Sequence, residues 1–414
     1  MTTHAPDAEP ACPGVTDADR PTDHEDSAAN GAAPRIERRA FDDVPRATWD
    51  RLAALNPWAT PFSGWAFQRA WWDAYGGSAH DQTLVVTAGR GSAGGAEAGD
   101  PIAIVPLMHR HEVEPDDAAT ASKIRHTDGR LLTPVAPTAK AIFFGASYHA
   151  DYATILADPA DLPAVAAALV EHLADTADAD PDHPAPWDVV DLRRLRCGDP
   201  AAEALAAAFG AREIAHGWTL NLEREDVCPV VTFPEGVDFE GYLSTLDKKA
   251  RHEIRRKIRR AESAGEVCLT ASTDPLGDLE DFIDLHQRRW GDDGLFPPTP
   301  GGDASRVFIR RLFRECGADG PVRLSFLTVG ERRIAAGIHV VDRDTWMFYN
   351  AGIDPDAREL SPGVLLAALY VRGALEAGMR RFDFLRGDEP YKYEWGSVDE
   401  PIQRLLVRRD EARG

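Results

Sequence analysis

The stretch Phe382-Asp383-Phe384-Leu385-Arg386-Gly387-Asp388-Glu389-Pro390-Tyr391-Lys392-Tyr393-Glu394-Trp395 holds the densest mix of chemistry in this chain. An apolar run from Phe382 to Leu385 reads as a strand and ends abruptly in opposite charges, a glycine and a proline. Strand ends present reactive side chains on rigid scaffold positions, so this run is the first candidate site. Asp383 lies between two aromatics and points away from their face, toward water or a neighbouring backbone amide. Arg386 can pair with Asp388 or Glu389. As substrate-binding groups, Asp383 and Arg386 would hold polar parts of an acceptor. Glu389 or Asp388 can take a proton from an ammonium, and Tyr391 or Lys392 can donate to a leaving group or grip an anion. Pro390 fixes the chain so that these groups converge.

Outward from this run, hydrophobic periodicity divides the chain into two halves after an acidic tail. The first half reads as helices 49–55 and 62–75, strands 83–88 and 102–109, a strand 151–156, helix 162–174, strand 189–195, helix 201–209 and strand 218–222. The second reads as a basic helix 239–264, strand 267–271, helices 279–290 and 304–316, strands 323–329, 334–341 and 346–351, helix 362–377, and strands 381–385 and 402–407. Both follow strand, two helices, three strands, helix, strand, helix or turn, strand. Local similarity supports a duplication: Trp187-Asp188-Val189-Val190-Asp191-Leu192-Arg193 parallels Arg380-Arg381-Phe382-Asp383-Phe384-Leu385-Arg386. The expected boundaries are a disordered tail over 1–35, a first domain over 36–226 and a second over 227–414.

Composition bounds the partners. At 414 residues the chain exceeds one ordinary core, and its net charge of -22 argues against a general nucleic-acid binder, so no DNA partner is expected. Residues 1–34 carry seven Asp or Glu against one Arg and show no periodicity. No basic and apolar leader opens the chain, and no run approaches the roughly 20 apolar residues of a membrane span. Five cysteines, none spaced as metal ligands, read as reduced thiols of a cytoplasmic protein, with no metal site.

Three further features bear on ligands. Between positions 248 and 260, eight Lys or Arg face one acid, while Leu246, Ala250, Ile254, Ile258 and Ala261 form the buried stripe. Such a face, with Arg255 and Arg256 at its centre, suits a polyanion such as CoA phosphates or tRNA. His286, near the end of helix 279–290, is either structural or a neutral base lining a cleft. Trp290 opens a Pro/Gly loop able to cover an acceptor. Ser361-Pro362-Gly363 has Ser at the cap and Pro in the first helical turn, and such a helix start offers amide N–H groups to phosphate. Asp151 and Tyr152 begin a strand at the junction of the halves, where an acceptor pocket would lie.

The ordered set Leu246–Lys257, Leu285-His286-Gln287-Arg288-Arg289-Trp290, Ser361-Pro362-Gly363 and Asp383–Lys392 resembles the BioF2-like, CelD and FemAB-related branch of the GNAT acyltransferases. The resemblance covers residues 40–408. It implies an α+β chain of tandem GNAT-like domains, each a mixed, splayed central sheet flanked by helices, with the first half degenerate. It further implies acyl transfer from a thioester or an aminoacyl-tRNA to an amine or hydroxyl, on a small molecule, a sugar or a polysaccharide precursor. Acyl-CoA is the expected co-substrate, with no permanently bound cofactor. On this resemblance Asn350 and Gly352 offer backbone groups to the donor's amide arm, and Ser361 and Gly363 cradle its phosphates. The stretch Arg358-Glu359-Leu360-Ser361-Pro362-Gly363-Val364 departs from the family's glycine turn by keeping a single glycine. An aminoacyl-tRNA-dependent transferase and a non-catalytic scaffold that binds a polyanion are the alternative readings.

Overall fold

The computed structural model describes residues 33–89, 95, 97–110, 132–147, 149–178 and 186–409. Most of the acidic tail therefore lies outside the described residues. The first half runs β1 (Arg35–Arg38), α1 (Arg46–Leu55), α2 (Trp65–Tyr75), β2 (His80–Asp81), β3 (Leu84–Thr87), β4 (Pro101–Val105), β5 (Leu107–Arg110), β6 (Ala141–Phe144), β7 (Leu156–Ala157), α3 (Leu162–Asp175), β8 (Val189–Arg196), α4 (Pro200–His216) and β9 (Trp218–Thr232). The second runs α5 (Phe239–Thr245), α6 (Lys248–Glu262), β10 (Val267–Ala271), α7 (Leu279–Trp290), α8 (Pro300–Cys316), β11 (Val322–Val329), β12 (Arg332–Asp342), β13 (Thr345–Ile353), α9 (Pro362–Glu376), β14 (Arg381–Asp383), the one-turn α10 (Pro390–Tyr393) and β15 (Val398–Arg409).

The strands form a four-stranded sheet, β1-β3-β4-β7, and an eleven-stranded sheet, β10-β11-β12-β13-β14-β9-β15-β8-β6-β5-β2. The two halves repeat one pairing scheme. Strand β6 pairs parallel with β8 in the first, and β13 pairs parallel with β14 in the second. The next strand is then exchanged. Strand β8 takes β15 as its antiparallel partner, and β14 takes β9. Strands β9 and β15 run antiparallel along their whole length, from Val398 opposite Val230 to Arg409 opposite Trp218. The boundary expected between 226 and 227 falls inside β9, which serves both halves.

Several expected elements differ, each for a local reason. The strand expected over 102–109 is broken at Pro106, which has no N–H to donate, so β4 joins one sheet and β5 the other. The strand expected over 151–156 joins no ladder as far as Ile155, and strand pairing is confined to Leu156 and Ala157. The basic helix expected over 239–264 is two helices, because Leu246 is extended and Asp247 caps α6 by accepting from Lys249 and Ala250 N–H at 2.9 and 3.2 Å. Ile254 and Ala261 of α6 are buried, as its spacing requires. Strand β14 stops at Asp383 rather than Leu385.

Helix α9 is apolar on nearly all sides and is covered by the sheet, α5 and α6, with Leu366, Ala367, Tyr370 and Val371 fully buried. Cys228, Cys268 and Cys316 are free. Among the described residues, no helix is long and apolar enough to cross a membrane.

Candidate functional site

Strand β13 has β14 beside it only from Thr345 to Met347, because β14 is short and ends at Asp383. Beyond that point the strands part. A bulge between Ile338 and His339 in the β12–β13 pairing leaves Tyr349 without an opposite residue and turns β13 further. The gap opens a cavity of about 710 Å³. Phe348 to Ala351 and Ile353 form one wall, Phe384 to Arg386 the other, and Ser361 to Val364 of the α9 start close one side. Helix α7 and the loop after it add His286, Arg289, Trp290, Asp293 and Leu295. The first half contributes His149 and Asp151.

The turn leaving β14 is held from several directions. Leu385 has φ 56° and Gly387 φ 105°, the left-handed region that costs a side chain such as leucine about 1 kcal/mol. Asp383 accepts from Leu385 N–H through Oδ1 at 2.7 Å and from the Tyr152 hydroxyl through Oδ2 at 2.7 Å. Lys392 Nζ donates to the carbonyls of Leu385, Arg386 and Gly387 at 2.9, 2.8 and 2.9 Å and lies 2.9 Å from Glu389 Oε2. Gly387 N–H donates to Val227 of β9 at 2.9 Å. Held this way, the turn presents Arg386, Glu389 and Tyr391 to the cavity.

These bonds revise the expected work of several residues. Lys392 is 3% exposed and already spends its three protons on carbonyls, so it pins the turn rather than serving a ligand. Asp383 is buried beneath the cavity, neither in water nor on its wall, and its role is the backbone one. Burial raises its carboxyl to about 6, against the opposing hydrogen bond from Tyr152. Tyr152 is likewise buried with its hydroxyl committed to Asp383, so both act under the site rather than in it. Arg386 has a partner outside its own turn. Its Nε lies 3.3 Å from Asp151 Oδ1, on the cavity wall. Asp388 is not among the residues that line the cavity.

His286 lines the cavity, with Nδ1 3.2 Å from Gln287 Oε1 and its ring against Phe296. Burial lowers its pKa to about 4, so the imidazole is neutral at physiological pH. Trp290 stands at the mouth, 45% exposed, under the Arg289 guanidinium. Asn350, Ser361 and Gly363 line the cavity as expected. Ser361 does not cap α9 with its side chain. It takes φ 55° and ψ 54°, and its hydroxyl faces Arg260 at 3.3 Å. Gly352 has a packing role instead, because a Cβ there would come within 2.5 Å of His286 N, where α7 crosses β13. Arg255 and Arg256 are held by Glu240 and Glu253 at 2.7 and 2.6 Å, away from the cavity.

Several lining residues escaped the sequence reading, among them Arg289, Arg358, Tyr349 and His149. Arg289 and Arg358 line the cavity with no ion-pair partner among the described residues. Tyr349 follows from the bulge, which no spacing rule locates. His149 belongs to the first half; its ring stacks on Phe308 at 4.0 Å and bonds the Tyr75 hydroxyl at 2.8 Å. Burial, then the nearby Arg386, lowers its pKa to about 3. Burial also raises Asp151 despite the three cations around it, Arg386, Arg194 and Lys392.

Residues 248–393 match the family described as "Acetyltransferase (GNAT) domain". No curated protein matches the chain. Among solved structures it is similar to FemX, at 10% identity and TM-score 0.55 over 90% of this chain and 96% of that one. It is also similar to L-PGS from Bacillus licheniformis, at 11% identity and TM-score 0.50 over 91% and 94%. A conserved protein of unknown function from Bacteroides thetaiotaomicron VPI-5482 gives 11% identity and TM-score 0.50 over 91% and 100%. Identities this low speak for the fold alone. With the repeated pairing scheme and the parted strands at the cavity, they show a FemX-like fold of two GNAT-like halves, of which the second carries the matched GNAT acetyltransferase domain over residues 248–393.

Proposed function

We propose that the protein is an N-acyltransferase that moves an acyl group from acyl-CoA to an amine, on a small molecule or saccharide precursor, by direct attack. The observation that carries the reading is the convergence on one cavity of the parted edge of β13, the α9 start with Arg289 and Arg358, and the carboxyl of Glu389. The residues suit a CoA donor. Edge groups of β13 past Met347 have no β14 partner and can bond a pantetheine amide arm. The α9 start, the two arginines and Arg260 beside Ser361 suit its phosphates. Ser361 takes the left-handed conformation that a glycine usually fills, which explains how the turn forms with one glycine.

In this reading the cavity aligns the amine with the thioester carbonyl. Glu389 takes the ammonium proton and passes it to solvent, the nitrogen attacks, and as the C–S bond breaks Glu389 takes the nitrogen's second proton. Tyr391, raised to about 12 mainly by burial, keeps its proton at neutral pH and can give it to the departing thiolate. No side chain is acylated along the way.

Calorimetry with acetyl-CoA, and thiol release across an amine panel, test the reading. Micromolar binding and acceptor-dependent thiol release are expected. Absence of both overturns it. A second reading, transfer from aminoacyl-tRNA, is favoured by Lys248, Lys249 and Arg259, which form no close ion pair among the described residues. Retention of charged tRNA on a filter at low salt, with no acetyl-CoA binding, would select it.

A further inference from the structure

We propose that the acyl group arrives on a second protein, a small acidic one bearing its thioester on a phosphopantetheine arm, and that the basic face of α6 docks it beside the cavity. This inference rests on the acyltransferase reading and names the carrier of the acyl group. Acyl-CoA and such a carrier share the pantetheine arm, so both would enter along the open edge of β13. They differ in what stands outside the cavity, and α6 lies there: none of its residues is among those that line the cavity. The helix packs along α9 and against the turn Pro355–Leu360. Its Arg260 reaches Ser361 Oγ through Nη2 at 3.3 Å, at the α9 start that lines the cavity. Opposite the buried Ile254 and Ala261, one face of α6 exposes Lys248, Lys249, His252, Arg256, Arg259 and Arg260. Lys248, Lys249, Arg259 and Arg260 form no close ion pair among the described residues.

The length of this face separates the two donors. From Lys248 to Arg260 it runs about 18 Å, at about 1.5 Å per residue. Beyond its diphosphate, CoA has one further phosphate, which meets one end of such a face and leaves the rest unmet. Carboxylates along a partner helix meet all of it. A net charge of -22 repels an acidic partner on average, so the local cations of α6 decide where that partner lands. The face is not of one sign, because Glu240 and Glu253 lie on it, held by Arg255 and Arg256. The uniformly negative backbone of an RNA is repelled by those carboxylates, and no aromatic alternates with the cations to stack a base. A protein surface can set its own cations against the glutamates and its acids against the lysines, so a protein fits better. Docked there, the carrier sends its arm past Arg260 and Ser361, and the arm's single phosphate needs one helix start rather than a diphosphate cradle. The amide C–N bond then forms and the C–S bond breaks. The amine gives up two protons, one to the departing thiol of the arm and one to solvent.

The test gives the full chain either acetyl-CoA or an acyl carrier protein with an acetylated phosphopantetheine arm, and reads thiol release across the amine panel at low salt. The carrier is expected to exceed acetyl-CoA in kcat/KM by about tenfold or more. Lys248→Glu combined with Lys249→Glu should bring that ratio back toward one. Should this variant not fold, judged by circular dichroism, salt decides: in the natural protein, turnover of the carrier should fall by about tenfold between about 50 and 300 mM NaCl, and that of acetyl-CoA far less. Equal sensitivity of the two donors to salt overturns the inference. If acetyl-CoA serves as well as the carrier, or the folded double variant keeps the ratio, the inference falls while the acyltransferase reading stands. If charged tRNA is retained by the natural protein and lost from the variant while the carrier is not used, α6 serves RNA and the inference falls. If neither donor releases thiol and acetyl-CoA does not bind, both fall.

Discussion

Replacing Asp383 by asparagine should separate stability from function. The Asp383 carboxyl is fully buried, and burial raises it from 3.8 to about 6. The folded chain therefore holds this proton more tightly than the unfolded chain does. Stability from this group is full below about pH 4, falls as pH rises to about 6, and is flat above. At about 1.4 kcal/mol per tenfold change in proton affinity, the gap corresponds to about 3 kcal/mol. Asparagine cannot titrate, so the stability of Asp383→Asn minus that of the natural protein should rise by up to about 3 kcal/mol between pH 4 and pH 7. Urea unfolding at half-unit pH steps, followed by tryptophan fluorescence, measures the difference. Turnover should move the other way. The introduced amide can keep Leu385 N–H only by turning its NH₂ to the Tyr152 hydroxyl, which must then accept where it now donates, and the weaker neutral bonds loosen the turn that carries Arg386 and Glu389. Parallel stability profiles for the two proteins would refute the burial argument, and unchanged turnover would refute the positioning one.

Other changes probe neighbouring claims. Glu389→Gln keeps the shape and removes the base, so kcat should fall by about 100-fold or more in a thiol-release assay, with a native circular dichroism spectrum. Lys392→Met leaves three carbonyls and the Glu389 carboxylate without a cation, and should lower unfolding free energy by about 3 kcal/mol in a urea titration. Gly352→Ala would press a Cβ against His286 N and force α7 off β13. A loss of about 1–3 kcal/mol and a lower thermal midpoint are expected. Because β9 and β15 are exchanged, fragments 33–233 and 234–409, cut after β9, should each be insoluble alone and form one soluble complex when co-expressed; two independently folded fragments would contradict the exchange.

The sequence carried the local information, because local rules need only neighbouring residues. Periodicity located most helices and strands and their repeated order. The charge reversal after Leu385 located the turn that faces the cavity, and its glycine and proline marked where the strand had to end. What tertiary structure decided was which of the marked residues are free to act. Lys392, Asp383 and Tyr152 look as reactive in the sequence as Glu389 does. Three carbonyls and an amide brought inward by the folding of the turn itself, and a hydroxyl 231 positions away, bind them, and no spacing rule counts those partners. Gly352 reads as a ligand glycine until the backbone of α7 is seen crossing it. His149 and Asp151 lie more than 200 positions before the turn they meet. Arg386 meets an acid of the other half, Asp151, because strand exchange between β9 and β15 brings the two halves into one sheet and sets that acid on the same cavity wall.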